Sequence, residues 1–343
     1  MLKFDFRSDN EAPAPPEIMA ALMSHNHDSA PAYGADDTTA RALKALEDCF
    51  ETPLTAHLLI SGTAANALGL AQACPPWGAV LCHRHAHIHC DECGAPEFFG
   101  HGLKLIALDG EHGKLQPEIV DQAMAGFGFK GAHEPLPRVL SISQATEWGA
   151  VYSEQEIQAL SRCAHRHGLL LHMDGARLAN ALADSHSHPA AISWQAGVDL
   201  LSFGLTKNGA LGVDVLLVFR PELAEGLDRR IMKAGHLISK QRYLAAQVLA
   251  SLEQNRWLSW AAQANRAARV LADWFEARPD VEVLAPVQAN EVFVRMPQPR
   301  AEHLRQSGLA FHPWPLSTDS YRFVTSWDCD HEALEHYLQG LLA

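Results

Sequence analysis

Two short apolar runs, each ending in a polar turn, restrict this chain's fold more than anything else in it. Leu169-Leu170-Leu171-His172-Met173 leads into Asp174-Gly175-Ala176-Arg177, and Asp199-Leu200-Leu201-Ser202-Phe203 leads into Gly204-Leu205-Thr206-Lys207-Asn208-Gly209. Apolar runs of this length, bounded by turn residues, are buried strands. Around them, from Thr38 to Phe219, helical and strand patterns alternate. Strands are expected near 56–60, 103–108 and 138–143. Helices are expected from Thr38 or Thr39 as cap, after Ser61, from about Pro117, and over 154–167. Ser153 and Glu156 make a capping box for the last of these, and Gly168 ends it. Alternation of this kind predicts an α/β fold with a mostly parallel sheet and helices on both faces.

Ligands of an open parallel sheet lie beyond the carboxyl ends of its strands. Asp174 and Lys207 therefore share one crevice. Alone, Lys207 reads as a solvated loop lysine. At the rim of a core, however, burial disfavours its charge, and a neutral lysine is a nucleophile for an aldehyde. A carboxylate and a Schiff-base lysine are the two parts that pyridoxal phosphate (PLP) needs, one for the pyridine nitrogen and one to anchor the aldehyde.

An anionic cofactor needs a local positive site, because the 343 residues carry a formal net charge of −13. Ser61-Gly62-Thr63-Ala64-Ala65-Asn66 offers one: a small-residue turn between a strand and a helix start, where free N–H groups and the helix dipole attract phosphate. The acidic balance and lack of a basic stripe argue against nucleic acid and anionic membrane surfaces as partners. No apolar run approaches a membrane span, and the charged start MLKFDFRSDNE lacks a signal core. Seven cysteines, an odd number, fit a reduced compartment, so a cytoplasmic location is expected.

Cys82, His83, His85, His87, His89, Cys90, Asp91, Glu92 and Cys93 form a dense run. Zinc is one reading, but no second Cys/His pair stands out, and alternate histidines of an extended chain crowd one face. The other reading is one imidazole stacked on a planar cofactor. A non-enzymatic metal-binding protein is the contrasting function. At the ends of the chain, residues 1–16 read as an arm without regular structure, with Arg7, Ser8 and Asp9 solvated. From Pro221 long helical stretches lead into short strands, so a smaller α+β domain is expected. The division is 1–16 arm, 17–240 large domain and 241–343 small domain.

RSDN at 7–10, YGADD at 33–37, SGTAAN at 61–66, His87 with Glu92, DGAR at 174–177, TKNGAL at 206–211 and YRFVTSW at 321–327 occur in this order. Together they resemble the threonine aldolase family of PLP enzymes, with its aspartate-aminotransferase-like (fold type I) architecture. CHRHAHIHCDECGAPEFFG and QATEWGAVY look most like the bacterial low-specificity L-threonine aldolases and their phenylserine-cleaving relatives. The resemblance implies a large, mostly parallel seven-stranded sheet domain plus a smaller C-terminal domain. It implies that Lys207 forms the internal Schiff base and that Asp174 pairs with the pyridinium nitrogen. Arg177 would contact the ring hydroxyl oxygen or the substrate side of the pocket. Gly62, Thr63 and Asn66 would hold the phosphate with Thr206 nearby, and His87 would stack on the ring. Ser8 and Arg322 match residues that bind the substrate α-carboxylate. Tyr33 would reach a neighbouring subunit's site, and Lys240, or Arg242, would reach the phosphate across the same interface. A homodimer or homotetramer follows from that sharing. Where much of the family has histidine, this chain has Glu147, which leaves the proton acceptor open among Glu147, His87, His133 and a water. The implied reaction is retro-aldol cleavage of L-threonine and L-allo-threonine to glycine and acetaldehyde. Phenylserine cleavage and PLP-dependent β-elimination are the alternatives.

Overall fold

The computed structural model describes residues 3–183, 185, 187–315 and 318–341. In chain order its strands are β1 Phe4–Asp5, β2 Thr55–Leu59, β3 Gly78–His83, β4 Lys104–Leu108, β5 Leu136–Ser143, β6 Leu170–Gly175, β7 Leu200–Gly204, β8 Asp214–Val218, β9 Glu282–Val283, β10 Glu291–Arg295, β11 Leu309–Ala310, β12 His312–Pro313 and β13 Ser320–Val324. The main sheet has seven strands in the order β2-β8-β7-β6-β5-β3-β4. All neighbours from β7 to β4 run parallel, while β8 is antiparallel to both β7 and β2.

Both faces of this sheet are buried, which is why its strands are apolar throughout rather than alternating. Along β8, Val215 and Leu217 join the core that contains Phe203, Phe50 and Trp257, while Leu216 and Val218 join Leu59, Leu68 and Leu200 on the opposite face. The helix Gly62–Ala73 is buried from Ala64 to Ala71, so almost none of its circumference needs polar residues. A second sheet, β12-β13-β10-β9, packs with the far half of the long helix Arg256–Glu276 around Phe275, Val292, Val294 and Phe323. The near half of that helix and the helix Arg242–Leu252 pack on the large core instead, through Leu244, Val248, Trp257 and Ala261.

Several expectations change in detail. The arm is not irregular: β1 pairs parallel with β11, Phe6 is buried in the second core, and Asp9 is buried rather than solvated. The helix Asp37–Phe50 is capped by Asp36 rather than by Thr38 or Thr39, because the Asp36 carboxylate, three residues before Thr39, accepts from the free Thr39 N–H. The first long helical stretch expected from Pro221 is broken into a 3₁₀ turn, Pro221–Leu223, and a helix Leu227–Lys233, with Gly226 at φ +74° between them. The Ser153/Glu156 capping box is present. No helix among the described residues is long and apolar enough to cross a membrane.

Candidate active site

A pocket of about 200 Å³ opens at the carboxyl ends of β6 and β7, where the central strands feed their loops. Asp174, Ser202, Gly204, Thr206 and Lys207 line it from these two strands, and Ile60, Ser61, Gly62, Thr63 and Asn66 line it from the β2 turn and its helix. Register explains the juxtaposition: Asp174 lies opposite Ser202 on β7 and beside Ser143 on β5. Gly204 is required here, since a Cβ would lie 2.6 Å from the Ala176 backbone. Gly209 is likewise required by its φ of +107° in the turn that follows Lys207.

Lys207 lies on the 3₁₀ turn Thr206–Asn208. Asp214 builds this turn: its carboxylate accepts from the Leu205 N–H (2.8 Å), the Thr206 N–H (3.1 Å) and the Thr206 hydroxyl (3.1 Å). Burial holds the Asp214 pKa above the usual carboxylate range, against these hydrogen bonds. The Lys207 amine forms no ion pair among the described residues. At the opposite wall Ser61 caps the helix Gly62–Ala73, its hydroxyl accepting from the Ala64 N–H. Gly62 and Thr63 line the pocket, and their N–H groups, in the first turn of the helix, have no intrahelical acceptor, which suits a phosphate.

The pocket floor is one hydrogen-bonded chain. The Asn66 amide donates to both Glu92 Oε1 and Asp174 Oδ2, each at 2.8 Å. His87 Nδ1 meets the same Glu92 oxygen at 2.9 Å. The expectation that Asn66 holds phosphate is therefore replaced: its donors are spent on two carboxylates. Burial, reinforced by Asp174, raises the Glu92 pKa. Burial opposes the charge of His87, but the Glu92 hydrogen bond and the Asp174 field outweigh it and raise its pKa.

Glu147 sits just behind His87. Its Oε1 accepts from the Ser143 hydroxyl (2.6 Å) and from the His87 backbone N–H (2.8 Å), while Oε2 is buried without a partner. Burial pushes its pKa up to about 7, against those two hydrogen bonds.

Arg177 is committed differently from expectation. Its Nε and Nη2 donate to the Asp9 carboxylate at 2.8 and 3.1 Å, and Nη1 lies 3.4 Å from Glu291. The Arg322 guanidinium lies over the Trp314 ring, 5.3 Å from its centroid, and its Nη1 is 3.9 Å from the same Glu291. Ser8 caps the turn Asp9–Glu11, and its neighbour Asn10 lines the pocket in its place. His133 lies on an exposed 3₁₀ turn away from the pocket lining. Tyr33 and Lys240 are both exposed, outside their own chain's pocket, and close together through the Tyr33 N–H to Ser239 carbonyl bond. Arg242 is spent on the His27 and Asp28 carbonyls.

The His/Cys run disperses rather than converging. β3 ends at His83 and a short helix, His87–Cys90, follows, so the histidines do not share one face. His83 meets the Gly110 carbonyl, His85 accepts from the Trp148 indole, and His89 is exposed. Three site carboxylates carried no assigned role in the sequence: Asp9, Asp214 and Glu291. Asp9 and Glu291 act through arginines distant in the chain, and Asp214 acts on Leu205 and Thr206 across the turn between β7 and β8, so local spacing holds little signal for them. Only Asp9, inside the RSDN motif, was within reach.

The lysine after β7, the carboxylate ending β6 and the phosphate-type turn after β2 define the fold-type-I class of PLP-dependent enzymes. The chain belongs to the β-eliminating lyase family, whose model matches residues 5–299. It is 44% identical to the low specificity L-threonine aldolase of Pseudomonas aeruginosa over 337 residues, 98% of this chain and 96% of that protein. It is 42% identical to the protein of the same description from a Pseudomonas species, over 95% of this chain and 93% of that one. A solved threonine aldolase from Leishmania major superposes with a TM-score of 0.92 at 26% identity, covering 99% of both chains.

Proposed function

We propose that this protein is a carbon–carbon lyase that cleaves L-threonine and L-allo-threonine to glycine and acetaldehyde, using PLP held at this pocket. The observation that carries the reading is the pairing of an uncommitted Lys207 amine with the buried, hydrogen-bonded Asp174 carboxylate in one cavity. The pocket fits the cofactor: an amine for the aldehyde, a carboxylate for the ring nitrogen, and free N–H groups of Gly62 and Thr63 for the phosphate. When bound, PLP supplies an aldehyde that captures the substrate amine and a ring that accepts the electron pair of the broken bond.

The protein's part is orientation and proton handling. Arg322 receives the substrate α-carboxylate, for which a planar fork of donors suits. His87, held by its contact with Glu92, would pack over the ring. Glu147 takes the proton of the β-hydroxyl, directly or through one water. The Cα–Cβ bond breaks, the aldehyde leaves with the carbonyl oxygen, and Cα, which keeps its own hydrogen, takes up a proton in place of Cβ to give glycine. Fixing the substrate so that this bond is the one to break supplies much of the rate. Tyr33 and Lys240 complete the site of a second subunit, so the working unit is a homodimer or a homotetramer. We read the chain as arm 1–16, large domain 17–240 and small domain 241–343, with Arg242–Leu252 folding back onto the large core. A cytoplasmic location accords with seven unpaired cysteines.

Phenylserine is the second substrate reading. It is favoured by the ring cluster of Trp148, Phe293 and Trp314 beside Glu147 and Arg322. Incubating the purified protein with several β-hydroxy amino acids and identifying the released aldehydes tests the proposal. Acetaldehyde plus glycine supports it, and an oxo acid plus ammonia points to β-elimination. The Lys207→Ala variant is expected to lose turnover altogether, and full activity in that variant overturns the assignment.

A further inference from the structure

Glu291 is a buried carboxylate that the reaction does not use. It opens β10, its side chain is fully enclosed (0% exposed), and neither oxygen accepts a hydrogen bond. The cations nearest to it are Arg177 Nη1 at 3.4 Å and Arg322 Nη1 at 3.9 Å. Burying a carboxylate without hydrogen bonds costs several kcal/mol unless opposite charge stands close. The two guanidinium groups meet that need here. Arg177 already has Asp9 as a bidentate partner, so Glu291 is chiefly the counter-charge of Arg322.

The contact with Arg322 is loose. At 3.9 Å it is an ion pair without a hydrogen bond, and Arg322 Nε is buried with no acceptor. The guanidinium is compensated in charge yet has donors to spare. Two arginines face two carboxylates, so the group Asp9, Glu291, Arg177 and Arg322 is balanced before any ligand enters. A substrate α-carboxylate would add a third negative charge.

We infer that Glu291 is a positioning residue that acts through Arg322 as a built-in competitor of the substrate carboxylate. It keeps Arg322, a half-buried cation, from standing without a counter-charge in the empty site and weakens carboxylate binding in the filled one. This inference rests on the proposed role of Arg322. Neutralising Glu291 then has an effect opposite to ordinary damage, since the affinity for carboxylates rises.

The test uses cofactor-loaded protein and two ligands. Acetate binding is measured by calorimetry, and glycine binding by the change in visible absorbance. Glu291→Gln is expected to tighten both on the order of five- to tenfold, the scale of one nearby charge at an effective dielectric of about 20. Weaker or unchanged binding in a folded, cofactor-loaded variant overturns the inference, and is what a purely structural role gives. If the Gln variant does not fold, Glu291→Asp withdraws the charge by one methylene and is expected to tighten acetate roughly twofold. No tightening there overturns the inference as well. Arg322→Gln is the control for the underlying reading. Loss of acetate and glycine binding in that variant upholds the role of Arg322, so a failure at Glu291 would then concern Glu291 alone. Retained binding in Arg322→Gln removes the basis for both.

Discussion

Glu147 combines the two properties a proton acceptor near neutrality requires. Burial holds its pKa up to about 7, and the Ser143 hydroxyl and His87 N–H fix one oxygen while the other is left free. Only the ionised form can take the β-hydroxyl proton, so kcat/KM is expected to rise with pH and level off above about 7. Glu147→Gln is expected to lose roughly a hundredfold or more in turnover and to lose that inflection. Steady-state aldehyde release across the pH range checks both, and an unchanged rate would transfer the role to His87 or a water. The same shift has a stability consequence. The folded acid keeps its proton to a higher pH than the unfolded chain, so Glu147 costs stability as the pH rises from about 4.5 to about 7.

Strand β6 shows the opposite dependence within one element. His172, two residues before Asp174 on the same face, is fully buried between the Ser141 and Ser202 hydroxyls at 2.9 and 3.3 Å. Burial drives its pKa down to about 4, against the attraction of Asp174. Its contribution is complete above the unfolded value of about 6.5 and is lost as the pH falls towards about 4. That window is worth roughly 3 kcal/mol. Denaturant midpoints measured at several pH values should fall on acidification in the wild type, and His172→Gln should flatten that fall. A variant whose acid slope equals the wild type would contradict this. At this scale the sequence was legible where an element ends in chemistry. Strands β6 and β7 were readable because continuous apolar runs stop abruptly at Asp174 and before Lys207. β3 was not, because Gly78–His83 flows into the His/Cys run, and density of ligating residues masked the strand beneath it. The commitment of Asn66 and Arg177 was equally hidden. Their partners Glu92, Asp174, Asp9 and Glu291 come from other elements, and only the assembled sheet brings them together.

The whole molecule places Tyr33 and Lys240 on its surface, beside each other and outside their own pocket. If they complete a partner's site, two inactive variants should rescue one another. Lys207→Ala mixed with Lys240→Ala, after subunit exchange, is expected to regain activity on the order of a quarter of wild type, since half the subunits enter hybrids with one intact site. No recovery in exchanged dimers would contradict the shared site. The overall architecture was readable from alternation alone. The docking of the helix Arg242–Leu252 on the large core was not, since an apolar helix face does not name its partner.

The account as a whole depends on a single covalent anchor in the pocket at the end of β7. Borohydride reduction of the cofactor-loaded protein, followed by digestion and mass analysis of the peptides, reads it directly. The pyridoxyl mass is predicted on Lys207; finding it on another side chain, or on none, would contradict the account.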